Sequence, residues 1–200
     1  TEAFGRASYL VSRSRGKKST VSKALFIPLS VLEMEVEHLN KRDLHRIKET
    51  RICFPLNDVC CDPVKNVLAL FLSEVLFRVL KDTEPDPRLF DYLYESIHLL
   101  EYADKGIANF HLVFLLGLLH YLGIFPNVES HRVGYYFDML NGVFTDHIPM
   151  HRHYLNKVES AFFSRLLRIS FENMSLYGFS RQERVRIIHR VLEYYRLHLP

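Results

Sequence analysis

Tryptophan is absent from the 200 residues, and cysteine occurs only three times, as Cys53, Cys60 and Cys61. An odd count with one adjacent pair makes a poor disulfide framework, which argues against a stapled secreted module and for reduced thiols. A catalytic thiol needs a lowered pKa and a partner base. Cys60 and Cys61 stand just before Asp62, where a helix start can favour a thiolate, but no other feature supports catalysis and buried structural thiols are expected. Glycine-rich phosphate loops are missing too. Gly5 and Gly16 are isolated, which removes the known glycine-loop nucleotide sites. No internal repeat and no low-complexity segment is present. From Ile107 to Phe125 there is no Asp, Glu, Lys or Arg. That run approaches the ~20 apolar residues of a membrane span. It is interrupted by Asn109, His111, Gly117, His120 and Gly123, and reads as the central buried helix of a bundle, with a membrane span as the minor alternative, and with Asn109 and His120 expected to be buried and hydrogen-bonded.

What is present is an ordinary globular composition with an uneven charge. Hydrophobic residues make up 48% and charged residues 24%, and 15 Phe and 11 Tyr supply bulk for a core. The net charge of +3 is misleading until divided. Residues 1–52 hold 11 Lys/Arg against 6 Asp/Glu, a net of +5, and residues 53–200 hold 15 against 17, a net of −2. The pattern points to a polyanion-binding module followed by a neutral body.

The first quarter reads as strands and turns. Ser8–Val11, Leu25–Leu29, Val31–Val36 and Leu44–Lys48 are β-prone, with Pro28 marking an edge or bend. Glu33, Glu35 and Glu37 alternate with Met34 and Val36, the period of a half-buried strand. Residues 13–19 contain no apolar side chain and read as a loop, and Asn40–Asp43 read as a turn. So few strands cannot close a barrel. If a barrel exists, its first strands are expected before Thr1.

From Asp62 the punctuation becomes helical. Asp62-Pro63 and Asp86-Pro87 are each an N-cap followed by proline at the first helical position, predicting helices to about Lys81 and Tyr102. Asp104 is expected to cap a third helix ending at Gly123. Asn141-Gly142 predicts a hairpin within residues 134–145. Tyr154–Ser170 is expected to be helical, and Ser180 with Glu183 forms a capping box that opens a last helix. The fold class is therefore α+β: a small β domain over residues 1–52, then an α-helical domain over 53–200 with an inserted hairpin.

An ordered series of segments resembles the RecO family, in the version found in Bacteroides-type bacteria. Phe4-Gly5-Arg6 with Ser8–Val11, the basic loop ending Lys18-Ser19, Leu29 and the Glu-rich strand resemble its N-terminal domain. Asp43–Glu49, Asp62–Lys65, Asn109–Leu112, Gly123–Asn127 and Tyr194–Pro200 continue the likeness over nearly the whole chain. The resemblance implies a partial oligonucleotide-binding (OB-fold) β-barrel followed by the helical domain. It implies binding of single- and double-stranded DNA, strand annealing and recombinase loading in recombinational repair, without nucleotide hydrolysis or any other catalysis. The partners it implies are recombination protein R and the tail of the single-strand-binding protein, in the cytoplasm at the nucleoid, with no membrane. Two departures stand out. About two dozen residues that begin family members are absent here, and the four-cysteine zinc motif of many members has no cysteine in Asn127–Thr145. No cofactor and no structural zinc is expected, with a hairpin in that place.

The DNA-binding residues expected on this basis are Arg6, Arg13, Arg15, Lys17, Lys18, Lys23, Lys41, Arg42, Arg46 and Lys48. Cations of this kind neutralise phosphates whatever the base sequence. Residues 13–18 are the strongest candidates, with four cations in six positions. Tyr9 and Phe26 have the chemistry to stack bases, but core packing is expected of each. His147, His151 and His153 beside Asp146 form the most metal-like group, yet Pro149 interrupts them and exposed loop histidines are expected. An apolar pocket for an acidic tail would need a cationic rim, for which Arg78, Lys81, Arg88 and Arg132 are candidates by type. The competing functional reading is a helical protein-interaction scaffold without direct DNA binding.

Overall fold

The computed structural model describes residues 1–11, 23–38, 43–81 and 84–199, which form an α+β chain of two compact units, Thr1–Ala103 and Asp104–Pro200. In the first unit, β1 (Ser8–Leu10), β2 (Leu32–Glu37) and β3 (Leu44–Ile52) make a sheet in the order β1-β3-β2. β1 runs parallel to β3 and β2 antiparallel to it. Among the described residues this sheet is open, as three strands require.

The alternation in β2 is realised, with Glu33, Glu35 and Glu37 exposed and Leu32, Met34 and Val36 turned partly inward. A bulge interrupts the register: Glu35 faces Glu49 but Val36 faces Ile47, so Lys48 is the extra residue. The bulge re-phases β3, leaving His45 and Thr50 both buried although an odd number of positions separates them. Residues 25–29, expected as strand, are not one. Lys23–Leu25 forms a 3-10 turn, Leu29 has φ of +63°, and Ser30 N donates to Ile27 O at 3.0 Å. Pro28 offers no N–H to a ladder, and a left-handed residue beside it ends any extended run. The expected turn at residues 40–43 falls mostly outside the described residues.

Residue 52 ends β3, and a five-residue helix, α1 (Asn57–Cys61), follows. Its start is capped from a distance: the buried Glu101 carboxylate accepts Asp58 N at 2.8 Å and Val59 N at 3.0 Å. Lys65, also buried, donates to Glu101 O at 2.6 Å and lies 3.4 Å from Asp58 Oδ2. All three cysteines are exposed, correcting the expectation of burial; Cys60 and Cys61 occupy the last turn of α1 rather than a helix start. The next helices, α2 (Pro63–Val79) and α3 (Pro87–Tyr102), begin where the two Asp-Pro pairs place them. Asp62 accepts from Val64 and Lys65 N, and Asp86 from Arg88 and Leu89 N.

In the second unit Asp104 does not cap a helix. Gly106, at φ of +73°, leads into a 3-10 turn at Ile107–Asn109, and α4 (Phe110–Tyr121) follows. Glycine is required there, because a Cβ would lie 2.8 Å from Met174 Cγ. Eight of the twelve α4 residues are buried, which confirms the central helix. Burial of each Leu or Phe contributes roughly 1.5–3 kcal/mol. Asn109 is buried as expected, its Nδ2 donating to Met174 O and Tyr177 O at 3.0 and 2.7 Å. His120 is not: it is exposed and stacks on Phe125 with ring centres 3.5 Å apart. Its position in the last turn of α4 lets the ring leave the core. The helix stops at Gly123 as predicted, at φ of +70°.

The hairpin of β4 (Tyr136–Asp138) and β5 (Val143–Thr145) is present, and a third strand, β6 (Tyr154–Leu155), pairs with β4 on the other side. Asp138 Oδ1 accepts Leu140 N and Asn141 N, fixing the turn that Gly142 closes at φ of +64°. A Cβ on Gly142 would sit 2.7 Å from Tyr194 Oη, so the hairpin end packs directly against that hydroxyl. The helix expected over residues 154–170 is shorter, α5 (Lys157–Leu166), because Tyr154 and Leu155 are taken by β4 and Asn156 opens a capping box with Glu159. The Ser180–Glu183 box opens the last helix, α6 (Arg181–His198), as predicted. Among the described residues no helix is long and apolar enough to cross a membrane.

Candidate nucleic-acid interface

Three of the ten expected DNA-binding residues have described side chains. Arg46 and Lys48 lie on the exposed face of the first sheet. The register sets Arg46 opposite Glu37 and Arg51 opposite Glu33, and Lys48 Nζ lies 3.7 Å from Glu35 Oε1. That face therefore carries Arg46, Lys48 and Arg51 against Glu33, Glu35, Glu37 and Glu49, all exposed. It is close to charge-balanced and is not a cationic platform. Arg6 is exposed too, with its guanidinium 4.6 Å from the centre of the Phe77 ring. Lys23 stands in the 3-10 turn, with its side chain outside the described residues, as are Arg13, Arg15, Lys17, Lys18, Lys41 and Arg42.

This partition relocates the charge. Within 1–52 the described stretches hold 5 Lys/Arg and 6 Asp/Glu, whereas residues 12–22 and 39–42 hold 6 Lys/Arg and no carboxylate. The whole excess of the β module belongs to those two segments. Tyr9 and Phe26 are half-buried, as core packing requires.

The body is not neutral but divided. Residues 53–103 hold 4 Lys/Arg against 9 Asp/Glu, and residues 104–200 hold 11 against 8. Taking 53–200 as one block averages an acidic half with a basic one. The basic half contains a groove of about 640 Å³ between α5 and α6, with an apolar floor that includes Phe162, Phe163, Leu166 and Ile187. Arg165, Arg186 and Arg190 rim it. Arg190 is held by Glu159 at 3.2 Å and Glu193 at 3.0 Å, Arg186 has Glu183 nearby, and Arg165 has no ion pair among the described residues. Sequence reasoning missed these arginines; periodicity marks each helix separately but not which two face each other. Three of the four residues it named instead are engaged elsewhere: Arg78 with Glu74 at 2.6 Å, Arg88 with Asp86 at 3.6 Å, and Arg132 with Glu129 O and His131 O; Lys81, the fourth, does not line the groove.

The histidines after β5 separate. His147 is exposed beside Asp146, but His151 and His153 are partly buried, each 3.2 Å from a carboxylate, of Asp138 and Glu193 respectively. Burial pushes the Asp138 carboxyl up. Hydrogen bonds from the Asn141 side chain and backbone, with His151 adjacent, bring it net below its ordinary value. Among the described residues, no three His, Cys, Asp or Glu side chains are grouped to hold a metal ion.

Comparison with known proteins gives these features a context. Residues 61–200 match the family model for the recombination protein O C terminal. The chain is 42% identical over 199 residues to a protein named DNA repair protein RecO from Azobacteroides pseudotrichonymphae, covering 100% of this chain and 83% of that one. It is 43% identical over 201 residues to the protein so named from Bacteroides fragilis, with the same coverage. It is 40% identical over 200 residues to the one from Porphyromonas gingivalis, covering 98% of this chain and 82% of that one.

Proposed function

The chain belongs to the RecO family and has a role in DNA repair and recombination, and on that premise we propose that it is a non-enzymatic mediator that binds single- and double-stranded DNA. It anneals complementary strands and helps to load the recombinase, working at the nucleoid in the cytoplasm. The observation that carries this reading is the six cations, with no carboxylate among them, in residues 12–22 and 39–42. Annealing brings two polyanions together, so it needs cations that offset phosphate repulsion while leaving base edges free. Contacts to phosphates through Lys and Arg meet that requirement without reading sequence.

Titration of a labelled single strand with the protein between about 50 and 200 mM salt tests it. If roughly five phosphates are contacted, log affinity falls against log salt with a slope of about −3.5. Salt-insensitive binding, or none, would favour a protein-interaction scaffold, a reading that the charge-balanced sheet face supports.

The partners follow the same reading: recombination protein R, and the acidic, apolar-ended tail of the single-strand-binding protein. For the tail, the α5–α6 groove offers apolar floor and arginine rim together. A labelled acidic peptide with apolar C-terminal residues is expected to lose about tenfold in affinity for the double variant Arg165→Glu, Arg186→Glu, the equivalent of about 1.4 kcal/mol. Equal affinity for both proteins, measured by anisotropy, would remove the groove from consideration.

A further inference from the structure

The two walls of the α5–α6 groove are tied to each other by the Arg190 guanidinium. Arg190, on α6, donates from Nη2 to Glu159 Oε1 of α5 at 3.2 Å and from Nη1 to Glu193 Oε2 of its own helix at 3.0 Å. All three side chains line the groove. The two carboxylates differ in what else holds them. Glu193 Oε1 lies 3.2 Å from His153 Nδ1, so it is fixed from a second direction. Glu159 Oε2 accepts Asn156 N at 3.1 Å, as half of the α5 capping box. The Arg190–Glu159 pair is partly open to water, with side chains 44% and 40% exposed. We propose that Glu159 is an internal competitor for Arg190: an acidic peptide enters the groove by taking Glu159's place on that guanidinium, so Glu159 decides how strongly anionic a ligand must be.

The physical case has three parts. Arginine carries its donors in a planar fork, so Nη1 can keep Glu193 while Nη2 changes partner. Glu193 is itself held by His153, which keeps the guanidinium at the groove wall when Glu159 leaves. Exchange of one carboxylate for another on the same donors gains little, because the new pair replaces an old one. Arg165, with no ion pair among the described residues, offers its attraction without such an exchange. A peptide without carboxylates has nothing with which to displace Glu159, and gains only the apolar floor of Phe162, Phe163, Leu166 and Ile187. The proposal rests on the reading of this groove as an acidic-tail site and deepens it: that reading draws affinity from Arg165 and Arg186, and this one assigns selectivity to Glu159.

The experiment is a double-mutant cycle on the 200-residue chain, read by anisotropy at about 0.05 M salt, where ion pairs are weakly screened. Two labelled peptides of equal length serve as probes. One is acidic with apolar C-terminal residues, and the other carries Asn and Gln for its acidic residues and an amidated end. Glu159→Gln removes the charge and keeps the cap, since Gln serves in that position of a capping box as Glu does. It is expected to bind the acidic peptide about threefold to fivefold more tightly; fivefold is about 1 kcal/mol, the upper end for an exposed pair. The neutral peptide should bind both proteins equally. In an Arg190→Gln background, Glu159→Gln should change neither affinity, which separates competition for Arg190 from a general loss of negative charge. Unfolding midpoints of the four proteins check that α5 and α6 remain packed. If the acidic peptide does not bind the unsubstituted chain, or binds it and the Arg165→Glu, Arg186→Glu variant equally, the groove reading and this proposal fall together. If that reading holds but Glu159→Gln gives no gain, or the same gain with and without Arg190, the competitor alone is overturned.

Discussion

Replacing Arg13, Arg15, Lys17 and Lys18 together by Glu is expected to lower affinity for single-stranded DNA by at least about a hundredfold near 0.1 M salt. Each phosphate neutralised contributes a slope of about −0.7, so four lost contacts at that salt remove roughly 2.8 decades before any repulsion from the new carboxylates is added. The salt slope should fall by about the same 2.8, which separates lost ion pairs from general damage. These four residues lie in a stretch without apolar side chains, so the helical body should keep its unfolding midpoint. The companion variant Arg46→Glu, Lys48→Glu should change affinity less than about threefold, because both cations share a face with Glu33, Glu35, Glu37 and Glu49, and exposed pairs of that kind contribute little. A hundredfold loss from the second variant and none from the first would reverse the assignment of the interface.

The second large effect is on stability and comes from His111. Its ring lies on α4, and burial, with the Arg184 guanidinium nearby, pushes its pKa down from 6.5 to about 4. Above pH 6.5 the folded and unfolded chains both hold it neutral, and it has no influence. Between 6.5 and 4 the unfolded chain takes up a proton that the folded chain refuses, so folding stability falls as pH falls. Below about pH 4 the loss is complete, at about 3 kcal/mol. Denaturant midpoints at pH 7 and near pH 4.5 should show most of this loss for the unsubstituted chain. They should show a loss smaller by about 2.5 kcal/mol for His111→Gln, which has nothing to titrate. Asp138 and Glu193, whose net shifts are downward, add acid sensitivity of their own at lower pH in both proteins and cancel in the difference. Identical pH profiles would show that His111 is not the group responsible.

Which parts of this molecule can be read from its sequence follows from the range of the forces involved. The starts of α2, α3 and α6 were legible because each is set by a side chain hydrogen-bonding within three residues: Asp62, Asp86, and Ser180 with Glu183. The hairpin at Asn141-Gly142 is equally local. Failures came where a distant partner decides. Tyr154 and Leu155 have helical company on one side, but pairing with Asp138 and Phe137 makes them strand. Glu101 caps α1 from more than forty positions away, so no nearby residue announces that helix. Asp104 is an eligible cap, yet Gly106 packed against Met174 sets the turn. The candidate interface was legible as a count of charges and not as a surface. Alternation identifies Glu33, Glu35 and Glu37 as one face, but only the register with β3 reveals that Arg46, Lys48 and Arg51 share it.

The glutamate row on β2 has a consequence for where a strand can travel. Three carboxylates spaced two residues apart along β2, the strand at one end of the order β1-β3-β2, with Glu49 beside them, offset Arg46, Lys48 and Arg51 and leave that face without a net pull on phosphates. On the DNA-binding reading, a phosphate backbone gains nothing by lying flat on this face, so its footprint stays short and much of its length remains in solvent. Short footprints release quickly, and a strand with free flanks is open to a complementary strand or to the next protein in line. On the proposed reading, a face without net attraction limits tenacity, which suits a protein that loads a recombinase.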